Sequence, residues 1–324
     1  MLSRRFALLA ATVAALTVIG LSARAQHFPS GVIRVVVPTP PGSPPDIVSR
    51  IVANELATRE GWRVVVENRP GAIQTLGVSE MLKQPADGHT LLAMTTPMMA
   101  APALLPKSRL RLERDVLPVV RISTGYNVLV VNQALPAKSI AELVSLLKSQ
   151  PGKLHFASGG VGNPAHLIGE MFLLRTGTRA VHVPYPQGQQ FVSDLLSGTT
   201  QFSFITSVRV IDLIEAGRLR ALAVMGPSRI AVLRNVPSIV EAGLPELALE
   251  DWVGFGAKAG TANSIVLQLN QAVNRAIAQP HIRQALLKVG HDPVGGTPAE
   301  FGSLVQSQLI LWRNVIRDAG IKTH

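Results

Sequence analysis

The chain has 324 residues, 47% hydrophobic and 16% charged, which describes a core-rich folded protein and excludes the disordered and collagen-like classes. With no cysteine it cannot form a disulfide, a thiolate metal centre or a cysteine nucleophile. The formal net charge of +11 comes from scattered Lys and Arg, and at 4% aromatic residues the chain lacks the stacking platforms and basic clusters of a nucleic-acid surface.

Residues 1–25 begin with Arg4 and Arg5, run apolar over 6–21 and end in Ala23-Arg24-Ala25, the layout of a secretory signal peptide. The apolar run is short for a bilayer span, which needs about 20 residues. The expectation is an exported, periplasmic mature chain. After the leader, IRVVV at 33–37 predicts a buried strand, and 43–59 a helix with Ile47, Val48, Ile51, Val52 and Leu56 on one face. Strands follow over 62–67, 90–94, 116–122 and 127–131, with a helix over 75–83. Helices over 139–149, 163–175 and 189–196 then alternate with strands over 154–157, 180–183 and 201–205. A helix over 208–216 precedes a strand over 221–224. This alternation predicts α/β domains with largely parallel sheets. The tail is helical over 261–278, 280–289 and 297–318, and Thr297-Pro298-Ala299-Glu300 is a capping-box start with Pro at the first helical position. The length favours two domains of roughly 150 residues each. No stretch has linker composition, which implies two α/β lobes joined by strands or short hinges around a cleft.

Two segments share one plan of strand, glycine turn, cap residue, proline and helix. In VVVPTPPGSPPDIVSR, Ser43 is placed to cap, Pro44 takes the first helical position and Asp46 falls three after the cap. In LHFASGGVGNPAHL, Asn163 is placed to cap and Pro164 follows. A helix start has spare backbone N–H groups and about half a positive charge, so it suits a carboxylate. With one start in each lobe, a dicarboxylate or a carboxylate–amide is held at both ends; ordinary helix caps are the alternative. The histidines show no HxxxH or HxH spacing, so no metal site is expected, and His166 fits local packing as well as a site. There is no G-x-S-x-G elbow. Gly160-Val161-Gly162 lacks the third glycine and the acidic residue of a dinucleotide fingerprint, so no cofactor is expected. Met94, Met98 and Met99 suit core or cleft lining.

The sequence resembles the Bug-type (Bordetella uptake gene) substrate-binding receptors of tripartite tricarboxylate transporters along almost the whole chain after residue 25. The carrying segments include IRVVVPTPPGSPPDIVSRIVANEL, VVVENRPGA, PADGHTLL, NVLVVN, PGKLHFASGGVGNPAHLIGEMF, VHVPY, IEAGRLRALAV, NVPSIVEAGLPE and PVGGTPAEF. The resemblance implies a type II periplasmic binding-protein fold, with the chain crossing twice between lobes near 126–131 and 251–256. Lobe 1 is then 26–126 plus 252–324, and lobe 2 is 127–251. It also implies a monomeric, non-enzymatic receptor that closes on a small organic acid and docks to membrane transporter subunits. An exported sensory or docking receptor, or an enzyme reusing the two lobes, are the alternatives.

By the same resemblance the first loop supplies Thr39, Pro40, Gly42 and Ser43 to the ligand, and the third block supplies Ser158, Gly159, Gly160, Asn163 and His166. The departures from the family pattern gather at the cleft mouth. Ser43-Pro44-Pro45 stands where Gly-Gly-Thr is usual, and each proline lacks an N–H. Ile73 and Gln74 replace a Gly-Gly pair. Pro186-Gln187-Gly188 follows Tyr185 in place of Lys-Gly-Ser, and Ile205-Thr206 replaces Asp-Asn, with Arg209 nearby. Arg209, Gln74, Gln187 and Asn163 are therefore expected to bind a changed carboxylate ligand with amide or aromatic parts, beside Thr206 and the family-like Tyr185; drift in an unused paralogue is the alternative. Arg209 is the best single partner because its fork matches a carboxylate, and a surface charge on the following helix is its alternative.

Overall fold

The computed structural model describes residues 28–108, 110–185 and 190–321. The expected leader at 1–25 and Gln187 with its neighbours lie outside the described residues. Two mixed sheets carry the fold. The first has the order β11-β4-β10-β3-β1-β2, with β1 at Ile33–Val37, β2 at Val64–Asn68, β3 at Thr90–Thr95, β4 at Val116–Gly125, β10 at Asp251–Lys258 and β11 at His291–Pro293. The second has the order β7-β6-β8-β5-β9, with β5 at Asn127–Asn132, β6 at His155–Ser158, β7 at Val181–Pro184, β8 at Phe202–Thr206 and β9 at Leu219–Val224.

The expectation of largely parallel sheets is corrected. Pairing is parallel at β1–β2, β1–β3, β6–β7 and β6–β8, but antiparallel at β10–β3, β10–β4, β11–β4, β5–β8 and β5–β9. The antiparallel members include the strands that carry the chain from one sheet to the other. β4 runs into β5 with only Tyr126 between them, and the chain returns along β10. Such strands enter a sheet against the direction of those joined by βαβ crossovers.

The helices follow the apolar periodicity: α1 Pro44–Glu60, α2 Thr75–Leu82, α3 Ile140–Ser149, α4 Pro164–Thr176, α5 Gln190–Ser197, α6 Asn263–Ile277, α7 Pro280–Lys288 and α8 Pro298–Ala319. α8 starts with the capping box read from its sequence, Thr297 and Glu300 satisfying each other's backbone N–H groups. The helix expected over 208–216 is broken instead. A 3-10 turn at Ser207–Arg209 and a short helix at Ile211–Glu215 flank Val210, whose φ of −127° is not helical. Val210 is fully buried, so packing overrides the local helical pattern.

β10 escaped the sequence reading because Gly254 and Gly256 interrupt its apolar run. Gly254 is required by packing: a Cβ there would lie 2.4 Å from Phe301 Cζ and 2.7 Å from the Val120 carbonyl. Phe301 stacks edge-on against Trp252 with ring centroids 5.2 Å apart. One apolar core runs through both lobes, from Val36, Met94 and Met98 through Trp312 and Ile316 to Phe156 and Phe172. α8 bridges it, packing on β4 on one side and on α4 on the other. A second cluster lies under β5, β8 and β9, with Val128, Phe191 and Ile205 among its members.

Candidate functional site

The first loop leaves β1 at Val37 and enters α1 at Pro44. Ser43 occupies the cap position with extended backbone (φ −73°, ψ 157°), but its side chain makes no capping bond, which corrects the sequence expectation. Its hydroxyl donates to the Pro40 carbonyl at 2.7 Å. The Thr39 hydroxyl lies 2.7 Å from Ser43 Oγ and is the donor of that pair, since the Ser43 proton is already used. Pro44 and Pro45 fill the first two helical positions, so only the Asp46 N–H is left for a cap, and the Ser43 hydroxyl is turned to Pro40 instead. Asp46 supplies the anchoring instead. Its carboxylate accepts from Gly42 N at 2.9 Å, Arg50 Nε at 2.9 Å and Asn68 Nδ2 at 2.9 Å. Burial would raise the Asp46 carboxyl, but these three donors outweigh it and hold the group below the usual carboxylate range.

The second loop leaves β6 at Ser158 and enters α4 at Pro164. Here Asn163 does cap, accepting from Ala165 N at 2.9 Å. Behind the turn lies a neutral aromatic stack. His166 and His182 have centroids 4.0 Å apart, and Phe156 stacks on His182 at 4.8 Å. Gly162 N donates to His166 Nδ1 at 3.2 Å, which leaves the ring proton on Nε2, facing Glu170 Oε1 at 3.7 Å. Ser158 Oγ lies 2.7 Å from His182 Nε2 and accepts from Gly160 N at 3.1 Å. Loss of water around the rings pushes His166 down to about 4, and burial followed by the neighbouring His166 pushes His182 down to about 3. Both are therefore neutral at pH 7.

Both loops border one cavity of about 390 Å³. Of the residues expected to bind, Pro40, Gly159, Asn163, Thr206 and Arg209 line it, together with Asn127, Phe191, Phe204 and Ile205. Arg209 lies over the Phe191 ring with its guanidinium carbon 5.5 Å from the centroid, a contact that orients the fork. Thr39, Gly42 and Ser43 stand behind Pro40 and support its loop; Ser158, Gly160 and His166 stand behind the second turn. Tyr185 is outside the lining too. Its hydroxyl donates to Asp194 at 2.6 Å and, through burial and that carboxylate, is pushed up to about 12. Gln74 is engaged elsewhere, its side-chain carbonyl accepting from the Thr95 hydroxyl at 2.6 Å. Gln74 closes a run of three left-handed residues, Ala72, Ile73 and Gln74, at φ 46°, 50° and 70°. For the β-branched Ile73 this is a strained conformation. The turn carries Ile73 towards the second loop, where a methyl on Gly162 would meet Ile73 Cδ1 at 3.4 Å and Leu104 Cδ1 at 3.2 Å.

Residues 48–321 match the model of the tripartite tricarboxylate transporter family receptor. The chain belongs to this receptor family. The receptor is 33% identical to the protein BugT of Bordetella pertussis over 300 residues, covering 92% of each chain. Among solved structures it resembles the R. palustris protein Rpa4515 with adipate at a TM-score of 0.80 and 31% identity, covering 91% of this chain and 99% of that one. It also resembles MatC from Rhodopseudomonas palustris with bound malate, at a TM-score of 0.77 and 29% identity over 89% of this chain and 100% of the other. Its fold is that of these periplasmic binding proteins.

Sequence reasoning passed over three residues of the receptor's cavity: Asn127, Phe191 and Phe204. A signal for the first was available. Asn127 opens NVLVVN, a strand buried at every position, and a polar residue heading such a strand needs a reason to be there. The two phenylalanines read as ordinary core, and both are also nearly fully buried. Among the described residues no group of three or more His, Asp or Glu is arranged to hold a metal ion, and no helix is long and apolar enough to cross a membrane.

Proposed function

We propose that this receptor is exported to the periplasm, captures a small organic carboxylate in the Arg209 cavity, and delivers it to the membrane subunits of a tripartite tricarboxylate-type transporter. In this reading residues 26–126 with 252–324 form one lobe and 127–251 the other, a division supported by the strands each sheet contains. The mechanism is binding, with no catalytic step. A ligand that touches both lobes favours the closed arrangement by its differential affinity for it. The nearest thing to a nucleophile and base is Ser158 beside His182, and Ser158 is fully buried and outside the cavity lining.

The observation that carries the proposal is the cavity itself. Arg209, oriented on Phe191, and the start of α4 capped by Asn163 face a space that Pro40 of the first loop also borders. A guanidinium and a helix start together favour an anion. Asn163, Gly159 and Thr206 are the further ligand contacts in this reading, with Ser158 and His166 positioning the turn.

The test is a thermal-unfolding screen against organic acids on the chain lacking residues 1–25. A carboxylate at a hundred times its Kd raises stability by about 2.7 kcal/mol. Arg209→Gln is expected to abolish the shift, with an unliganded unfolding curve that stays cooperative showing that the variant is folded. If uncharged metabolites shift the midpoint and no carboxylate does, the proposal fails. Cell fractionation, with the N-terminus of the recovered chain read by mass spectrometry, tests export; an uncleaved residue 1 in the cytoplasm overturns it.

A further inference from the structure

We infer that the cavity selects a monocarboxylate whose apolar body ends in an uncharged hydrogen-bonding group, and that Asn127 reads that far end. The inference rests on the carboxylate reading above and narrows it. Three independent features of the cavity lead to it.

The first is the distribution of charge. Among the described lining residues Arg209 is the only ionised one, and the walls beside it are Phe191, Phe204 and Ile205. One carboxylate is matched there and the rest of the ligand meets hydrocarbon.

The second is the state of the first loop, where a second carboxylate would need donors. The hydroxyl protons of Ser43 and Thr39 and the N–H of Gly42 are all committed inside the loop, and Pro40, Pro44 and Pro45 have no N–H. The Pro40 ring is what this loop presents to the cavity. An anion placed there would lose its water without replacement.

The third is Asn127. Asn127 is 4% exposed and borders the cavity; its backbone carbonyl accepts from Met225 N at 2.8 Å, while its side-chain amide has no hydrogen-bond partner among the described residues. The amide opens onto the cavity, so its donors and its acceptor are available to a ligand there. Asn127 also borders a small cavity of about 10 Å³ behind the main one, whose other walls include Thr96, Glu250 and Asp251. Glu250 is ion-paired with Arg121, and the Asp251 carboxyl, short of water, is pushed up to about 6 and so is mostly ionised at pH 7. With Glu250 paired to Arg121, Asp251 is the acid that shares this small cavity with Asn127, and a second carboxylate there would meet a like charge. An amide or hydroxyl would instead complete the bonds of Asn127 at no charge penalty.

The experiment is isothermal titration of the chain lacking residues 1–25 with three six-carbon acids that differ only at the far end: adipate, its monoamide and hexanoate. The monoamide is expected to bind at least about tenfold more tightly than either of the others, because a site built to hydrogen-bond a group discriminates against analogues that lack it. Asn127→Ala is expected to remove the advantage of the monoamide over hexanoate; unfolding of the unliganded variant checks that it is folded, and the comparison on the natural chain stands without it. Adipate binding as tightly as the monoamide, or more tightly, overturns this inference and leaves the carboxylate reading standing. An equal ranking of monoamide and hexanoate also overturns it. Failure of all three to bind, with no carboxylate active in the thermal screen, overturns both.

Discussion

The loops at 38–46 and 158–166 are written alike and built differently. Each runs from a strand through a glycine turn to a proline-led helix, yet only Asn163 caps its helix, while Ser43 folds back on Pro40. An extra proline narrows the choice in the first loop: Pro45 removes the N–H at the second helical position, the one that Ala165 offers to Asn163 in the other loop, and the Ser43 hydroxyl turns to Pro40 rather than accept from the third. The first loop is then held by a charge, the Asp46 carboxylate with three donors around it. The second is held by neutral rings, with His166 accepting from Gly162 N. Similar strings of residues thus produce one loop whose donors are satisfied internally and one that borders the cavity with polar groups.

The contrast breaks hardest at Asp46. Asp46→Ala removes the one acceptor of the Gly42 N–H and the bonds from Arg50 and Asn68, whose amide keeps only the Thr39 carbonyl, and a loss of about 2 kcal/mol is expected in urea unfolding. A loss under about 1 kcal/mol would mean the carboxylate is not what holds the first loop. Acid separates the loops next. His166 and His182 have folded-state values of about 4 and about 3, below the ordinary 6.5, so the unfolded chain binds more protons between these limits. The stability they contribute is complete above pH 6.5 and is lost as the pH falls towards 4, roughly 2 kcal/mol by pH 5 for His166 alone. The cause is burial, which leaves a charged ring without water; a proton on Nδ1 of His166 would in addition displace the Gly162 N–H. Asp46 is depressed instead below 3.8, so the first loop keeps its charge through that window. Unfolding midpoints followed from pH 7 to 5 should fall in the natural chain and fall less steeply in His166→Gln, whose amide oxygen can still accept from Gly162, while His182 and the buried His291, also pushed down to about 4, keep part of the slope. Equal slopes would remove the histidine from the argument. The smallest effects compare the two cap positions directly. Asn163→Ala should cost about 1 kcal/mol as an ordinary cap loss, and Ser43→Ala less than about 0.5, because that hydroxyl caps nothing. Matching losses would erase the distinction between the loops.

Much of the fold was legible because its signals are local. The IRVVV strand, the capping box of α8 and the caps of α3 and α4 depend on residues within a turn or two of one another. What escaped depends on distant neighbours. β10 carries Gly254, which makes sense only against Phe301 and the Val120 carbonyl, and Gly256, which makes sense only against Met94 and Val116; Val210 breaks a helix to fill the second core. At the site, Arg209 and Asn163 stood out as polar residues at departures from the family pattern. Gln74 stood out for the same reason, yet its carbonyl turns to Thr95 instead. Asn127 lies in an unaltered motif; its sequence signal was a polar residue heading a buried strand, and its place on the cavity wall shows only in the structure.

The place of β10 has a consequence for synthesis. β3 and β4 belong to one sheet only through β10, which sits between them and emerges long after both, and α8, which follows β10, is what joins the cores of the two lobes. A growing polypeptide halted anywhere before residue 251 therefore has an unfilled slot at the centre of its first sheet. The folded state of this region becomes reachable only after β10 and α8 have left the ribosome.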